Sequence, residues 1–143
     1  MTAQITDRIT IRNKRYSLYS EPFHEFLKAA FKINPRPDWT NLLPTSSANW
    51  RGYQASWSIV DNQLYLNRIS GTYQNDRGTF KRLNLKLIFG STHPVKASWF
   101  SGTIKIPDGK LLMYVHAGYG SKYQKEHRVV VSKGIVQSID WQD

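Results

Sequence analysis

WRGYQASWSIVDNQLYLNRI, the stretch from Trp50 to Ile69, decides the fold class. Its first half alternates apolar and polar residues at the period of a strand with one buried face, which predicts that Tyr53 and Trp57 point inward. Asp61-Asn62 follows, and both residue types tolerate the positive φ that a two-residue hairpin turn requires. With this turn, Trp57 lies opposite Leu66 on the same face. The stretch therefore predicts an antiparallel β-hairpin.

The chain before this hairpin carries the one helical pattern. A first hairpin is predicted at residues 9–19, with its turn at Asn13-Lys14. An amphipathic helix is predicted at 21–31, with Ser20 as its N-cap and Phe31 on its buried stripe. Residues 34–49 contain three prolines and are predicted to form an irregular surface loop.

Strand and turn patterns continue to the end of the chain. In 80–89, Leu85 and Leu87 are predicted to face the core while Arg82 and Lys86 face solvent. Pro107-Asp108-Gly109 predicts a turn between two strands, because proline presets φ and glycine accepts positive φ. The further strands are predicted at 97–106, 110–116, 128–131 and 135–141, and the last two are predicted to pair across a turn at Ser132-Lys133-Gly134.

The number of predicted strands sets the architecture. About nine strands are too many for one flat layer with two open edges. A length of 143 residues favours one domain spanning 1–143. We therefore expect a mainly β protein with one N-terminal amphipathic helix, in which a curved antiparallel sheet closes toward a barrel or a two-layer sandwich.

Composition excludes several classes of protein. The chain has no cysteine, which excludes a disulfide scaffold, thiolate catalysis and cysteine-based zinc sites. The N-terminal residues lack the apolar run of a secretory signal. The longest apolar run, at 111–115, is far too short to span a bilayer. These features predict a cytoplasmic protein without a membrane span.

Charge is the unusual quantity in this sequence. Twenty Lys and Arg against ten Asp and Glu give a net charge of +10 and a pI near 9.9. Such an excess favours an acidic partner, which is either nucleic acid, an anionic membrane surface or an acidic protein. The positive residues are scattered, so the charge also fits a surface that only keeps a small domain soluble.

Two sequence strings resemble an uncharacterised family of small β-rich bacterial domains. They are WRGYxAxWxI, beginning at Trp50, and WFSGTxxIPxGKLL, beginning at Trp99. The resemblance covers about the C-terminal two-thirds of the chain and carries over no catalytic residue. It implies a bacterial setting, in which a small domain of this kind would fit a conflict or toxin–immunity cassette.

Motifs for catalysis or cofactors are missing from the sequence. The four histidines show no metal-ligand spacing, and nothing nominates a pair of carboxylates. The chain has no nucleophile elbow, Walker loop or dinucleotide fingerprint. We therefore expect no metal and no cofactor, and the sequence favours a binding protein over an enzyme.

Two segments supply the candidate binding residues. The first leaves a predicted strand and combines glycines with His116, Tyr119, Lys122 and Tyr123, although an ordinary hairpin loop has the same composition. The second consists of Arg51 and Tyr53 at the start of the central strand. There Arg51 either reaches a ligand or pairs with an acid such as Asp140 or Glu126.

Three functions remain open from the sequence. The first is a non-catalytic domain that binds a protein partner, acidic in view of the charge, through the barrel mouth. The second is a nucleic-acid-binding β-barrel in which Arg82 and Lys86 contact phosphates. The third is a small enzyme with His116 as general acid or base. The oligomeric state has no signal in the sequence.

Overall fold

A computed structural model describes residues 4–44, 46–113, 119 and 122–142, of which 110–113 and 122 are described as backbone only. Strands dominate this part of the chain, with two α-helices and a short 3₁₀ turn at Asp38–Thr40. The elements are β1 (Asp7–Ile11), β2 (Lys14–Leu18), α1 (Pro22–Phe31), β3 (Tyr53–Val60), β4 (Gln63–Gln74), β5 (Phe80–Leu83), α2 (Leu85–Phe89), β6 (Val95–Lys96), β7 (Gly102–Met113), β8 (Lys122–Ser132) and β9 (Ile135–Asp140).

The nine strands form one sheet that nearly closes into a barrel. Its order is β2-β1-β3-β4-β9-β8-β7, and β5 and β6 pair with β4 beyond its short pairing with β9. The two ends of this order approach each other where the Tyr19 amide donates to the Lys105 carbonyl, at 2.7 Å. The predicted mainly β fold is therefore confirmed. Of the two predicted architectures, a barrel and a two-layer sandwich, the sheet has the one that closes toward a barrel.

One pair of strands departs from the expected antiparallel pattern. β1 runs parallel to β3, with Arg8 beside Ser56 and Thr10 beside Ser58. Parallel neighbours need a long crossover connection, which β2, α1 and the loop after α1 provide here. The local sequence pattern of β1 contains no record of this distant partner.

The central hairpin forms as predicted. Asp61 and Asn62 adopt φ values of 51° and 60°, and Trp57 lies opposite Leu66 with 1% of its surface exposed. A β-bulge interrupts the pairing, because Ser56 pairs with Arg68 while the next residue of β3 pairs with Leu66. The extra residue of β4 reverses the alternation of its side chains beyond that point.

The N-terminal hairpin and α1 differ from expectation by about one residue. The turn consists of Arg12 and Asn13, with φ values of 52° and 65°, not of Asn13-Lys14. Glu21 replaces Ser20 as the N-cap residue of α1, because the Ser20 hydroxyl accepts a hydrogen bond from the Lys105 amide. Phe31 is 44% exposed, so its predicted place on the buried stripe was wrong.

The strand predicted at 80–89 is a strand followed by a helix. β5 ends at Leu83, and the Asn84 side chain then accepts a hydrogen bond from the Leu87 amide, which caps α2. Gly90 ends the helix with a φ of 73°. Leu85 is buried as predicted, but Leu87 is 43% exposed because the helical period replaces the alternation of a strand.

Pro107-Asp108-Gly109 lies inside a strand and makes no hairpin turn. β7 continues through it while paired with β8, so the strands predicted at 97–106 and 110–116 are largely one strand. Gly109 has the positive φ that its sequence context predicts, at 80°, but it uses this conformation at a β-bulge. The hairpin predicted at 132–134 is confirmed, since β8 pairs with β9 there.

The barrel interior is mostly apolar, with Asp7 and His127 as fully buried exceptions, and α1 covers one part of it. The Phe23 ring of α1 packs edge-on against the buried Tyr53 ring, with ring centres 5.2 Å apart. The Trp99 indole donates to the Pro22 carbonyl at 3.0 Å and fixes the start of the helix. Within the described chain, neither helix has the length and apolar character needed to cross a membrane.

Candidate functional site

A groove of about 800 Å³ runs along the outer edge of β4. β6 pairs with β4 at Tyr65 and Leu66, and β5 pairs with it from Gly71 onward. Between these two pairings no described strand covers the edge of β4, and the end of β5 and the start of α2 also line the groove. The groove is lined by Asn67, Arg68, Ile69, Ser70, Gly71, Thr72, Arg82, Leu83, Asn84, Leu85, Lys86 and Thr92.

The polar lining of the groove is cationic. Arg68, Arg82 and Lys86 are exposed, and none of the twelve lining residues is an acid. The remaining polar groups are amides and hydroxyls, which donate hydrogen bonds to phosphate and sugar oxygens as readily as they accept them. Arg82 and Lys86, which the sequence nominated together for nucleic acid, lie in this one groove.

The register of the strands sets the distance between Arg68 and Arg82. Arg82 pairs with Thr72, which lies four residues from Arg68 on the same strand and the same face. Four residues of strand span about 13 Å. Sequence reasoning missed Arg68, because strict alternation from Leu66 would point it inward. The β-bulge beside Leu66 turns it outward, and no local signal predicts that bulge.

Arg51 belongs to a second cluster, which is buried. Its side chain is 10% exposed, and its Nη2 lies 2.6 Å from Oδ1 of Asp7. Its Nη1 donates to the Ile5 carbonyl at 2.6 Å and to the Tyr119 hydroxyl at 2.9 Å. Its Nε lies 3.6 Å from Oε1 of Glu21. The predicted acid partners, Asp140 and Glu126, are wrong, and Asp7 and Glu21 take that place.

Asp7 is the centre of this cluster. It is fully buried, and besides Arg51 its carboxylate accepts hydrogen bonds from the Ala55 amide at 2.9 Å and from the Trp57 indole at 3.0 Å. Burial raises the pKa of Asp7, while Arg51 and these hydrogen bonds oppose that rise. Every described contact of the carboxylate is a donor, which fits the ionised form. Sequence reasoning missed Asp7, although it shares the inward alternation of Ile9 and Ile11.

Tyr53 completes the buried side of the cluster. The Arg51 guanidinium lies over its ring, 5.0 Å from the ring centre. Among the described residues, the buried Tyr53 hydroxyl has no hydrogen-bond partner. Burial raises the pKa of Tyr53 far above its usual range, so the hydroxyl keeps its proton and is not a general base at neutral pH.

Tyrosines link the Arg51 cluster to the surface. Tyr119 stacks on Tyr19 with ring centres 5.2 Å apart, and Tyr123 meets Tyr19 edge-on at 6.0 Å. Tyr119 and Tyr123 are both partly exposed. The structure thus brings Arg51, Tyr53 and Tyr119 into contact, with Tyr123 beside them. His116 lies outside the described residues, as does the side chain of Lys122.

A third polar cluster contains the buried His127. Its Nδ1 accepts a hydrogen bond from the Gln142 amide at 2.9 Å, so Nε2 carries the proton and donates to Oδ2 of Asp108, also at 2.9 Å. This hydrogen bond lowers the pKa of Asp108. The Trp141 ring stacks on the imidazole at 3.6 Å. Both ring nitrogens are engaged, so the pair holds the C-terminal residues in place and offers no base to a substrate.

Metal chemistry and known relatives add nothing to these three sites. In residues 4–44, 46–113, 119 and 122–142, no three His, Asp or Glu side chains are placed to hold a metal ion. Comparisons with protein-family models, with characterised proteins and with solved structures find no match.

Proposed function

We propose that this chain is a non-catalytic binding domain whose ligand is nucleic acid, bound in the groove along β4. The observation that supports it is the lining, which contains Arg68, Arg82 and Lys86 and no acid. A phosphate backbone is the repeating anion that such a lining fits, because each Lys or Arg replaces a counterion condensed on it. The net charge of +10 also attracts a polyanion, over a longer range.

The groove also has the neutral groups that a nucleic acid requires. Most protein–nucleic acid hydrogen bonds go to phosphate and sugar oxygens, and amides and hydroxyls donate many of them. Asn67, Asn84, Ser70, Thr72 and Thr92 supply such groups here. A surface that only kept the protein soluble would not require these donors to share one groove with the cations.

Replacing both Arg82 and Lys86 with alanine should weaken binding to a labelled oligonucleotide about tenfold or more. Each lost phosphate contact should also reduce the slope of log K against log salt by about one. Fluorescence anisotropy titrations between about 50 and 200 mM salt measure both quantities on the full chain.

The matched control is the pair Arg77→Ala and Lys81→Ala, which removes the same charges. Lys81 adjoins Arg82 in β5 but pairs with the buried Tyr73, so it points to the other side of the strand. Equal losses of oligonucleotide affinity in the two double variants would mean that the net charge, and not the groove, determines binding. A wild-type chain that binds no oligonucleotide at low salt would refute the proposed function.

A protein partner is the second candidate function. Its support is the partly exposed tyrosine cluster, because Tyr119 is held against Tyr19 by stacking and against Arg51 by a hydrogen bond. Preorganised tyrosines are frequent anchors of protein interfaces. That this partner is an acidic protein of a bacterial conflict or toxin–immunity cassette stays a prediction. The family resemblance and the cytoplasmic location stay predictions as well. The enzyme hypothesis rests on His116 and stays a prediction also.

The Tyr119→Ala variant should lose capture of a specific bacterial partner while it keeps oligonucleotide affinity, because Tyr119 is not among the residues of the groove. Quantitative pull-down with mass spectrometry measures the first property, and anisotropy the second. Tyr65→Ala is the control, since Tyr65 is a partly exposed tyrosine on β4. The same set of captured proteins from wild type and Tyr119→Ala would count against this candidate.

A further inference from the structure

The strand register extends the positive charge of the groove across the sheet. On one side of β3, Ser56 pairs with Arg68 of β4, and on the other side it pairs with Arg8 of β1. Directly paired residues share a face of the sheet, so Arg8 and Arg68 both project outward, and both are exposed. They are two strands apart, which is about 10 Å. The parallel pairing of β1 with β3 is what brings Arg8 to this position.

The outer face of these strands carries no opposing charge. The five strands β1 to β5 contain a single acid, Asp7, and it is fully buried on the inner face. The outward positions between Arg8 and Arg82 hold serine, threonine and glutamine side chains instead. Along these strands a polyanion would therefore meet cations and neutral hydrogen-bonding groups only. The turn between β4 and β5 adds one exposed acid, Asp76, followed directly by the exposed Arg77.

An exposed aromatic ring lies at the end of the same face. Phe80 is 65% exposed and pairs with Gln74, two positions along β5 from the pair of Arg82 with Thr72. Phe80 and Arg82 are two residues apart on one strand, so they project from the same face about 7 Å apart. A large apolar ring held in water beside an arginine is a surface on which a base can stack.

We propose that single-stranded nucleic acid crosses this face, with a base on Phe80 and phosphates at Arg82, Arg68 and Arg8 in turn. This inference rests on the proposed function and extends its site beyond the groove. From Arg82 to Arg8 the path covers three strand spacings and four residues of β4, or about 20 Å. A path of this length holds roughly four nucleotides, the lower end of the range for small single-strand-binding barrels. Paired bases are stacked inside a duplex and cannot reach Phe80, so the ligand is single-stranded.

The test compares a labelled 12-nucleotide oligothymidine with a duplex hairpin of equal length in anisotropy titrations of the full chain. Wild type should bind the single strand more tightly. Arg8→Ala should weaken that binding about threefold to tenfold and reduce the salt slope by about one. Phe80→Ala should weaken it at least fivefold, the low end for a stacked base, and Phe80→Tyr should restore it.

Two further variants keep the test decisive. Arg8→Gln keeps much of the side-chain length and replaces Arg8→Ala if the alanine variant melts early. Arg128→Ala is the matched control, because Arg128 is exposed, pairs with Glu126 and lies on β8, two strands beyond β4 in the sheet.

The outcomes separate this inference from the proposed function. Loss of binding on Arg82→Ala/Lys86→Ala, with no change on Arg8→Ala and Phe80→Ala, would overturn the path and leave the groove as the site. Tighter binding of the duplex than of the single strand would also overturn it. No binding of either nucleic acid by wild type would overturn the inference and the proposed function together.

Discussion

Arg51→Ala should reduce the free energy of unfolding by about 3–5 kcal/mol, because it leaves the buried Asp7 carboxylate without its counter-charge. The Asp7 side chain is fully buried and that of Arg51 is 10% exposed, so the carboxylate has little access to water as a substitute partner. The same change removes the hydrogen bonds to the Ile5 carbonyl and the Tyr119 hydroxyl. Urea denaturation followed by tryptophan fluorescence measures the loss.

The controls for this prediction use both partners of the pair. The double variant Asp7→Asn with Arg51→Met should be more stable than Arg51→Ala alone, because it leaves no unpaired charge inside the protein. Arg68→Ala removes an exposed arginine from β4 and should change stability by no more than about 0.5 kcal/mol. A cost below about 1 kcal/mol for Arg51→Ala would mean that water reaches Asp7 in solution.

Trp57→Ala should cost about 3–5 kcal/mol, the range for deletion of a large aromatic side chain from a core. Trp57 is 1% exposed, and its indole also donates one of the hydrogen bonds to Asp7. The variant therefore removes apolar packing and one donor to a buried carboxylate at the same time. Chemical denaturation with circular dichroism detection measures the change without relying on this tryptophan's fluorescence.

Two variants separate the parts of the Trp57 effect. Trp57→Phe keeps most of the ring but removes the donor, and should cost about 1–3 kcal/mol. Trp50→Ala removes an indole that is 64% exposed and should be nearly neutral. A small loss for Trp57→Ala, comparable with that for Trp50→Ala, would contradict the inward orientation of Trp57.

The sequence correctly predicted the elements that depend only on neighbouring residues. The turn at Asp61-Asn62 and the inward position of Trp57 depend on alternation and on turn residues, and both are confirmed. The predicted turn at Pro107-Asp108-Gly109 was wrong for a related reason. A glycine with positive φ serves a turn or a β-bulge equally well, and the long pairing of β7 with β8 decides between them.

The candidate site residues also divide into those set by neighbouring residues and those set by the pairing of distant strands. Arg82 and Lys86 were predicted to face solvent, and they do, although Lys86 does so from a helix. Arg68 could not be predicted, because the bulge that turns it outward forms between two strands. Arg8 and Asp7 depend on the pairing of β1 with β3, which joins segments about 48 residues apart. The alternation of apolar and polar residues in either segment does not indicate such a pairing.

The parallel pair of β1 and β3 has a consequence for the order in which the chain folds. The β3–β4 and β8–β9 hairpins close over two-residue turns, but the contact of Asp7 with Ala55 closes a loop of 48 residues. Loop-closure entropy grows with length, so such a contact forms after the local hairpins. Interactions that are absent from the folding transition state act mainly on the rate of unfolding. We therefore expect the Asp7–Arg51 pair to slow the opening of the barrel more than it speeds its assembly.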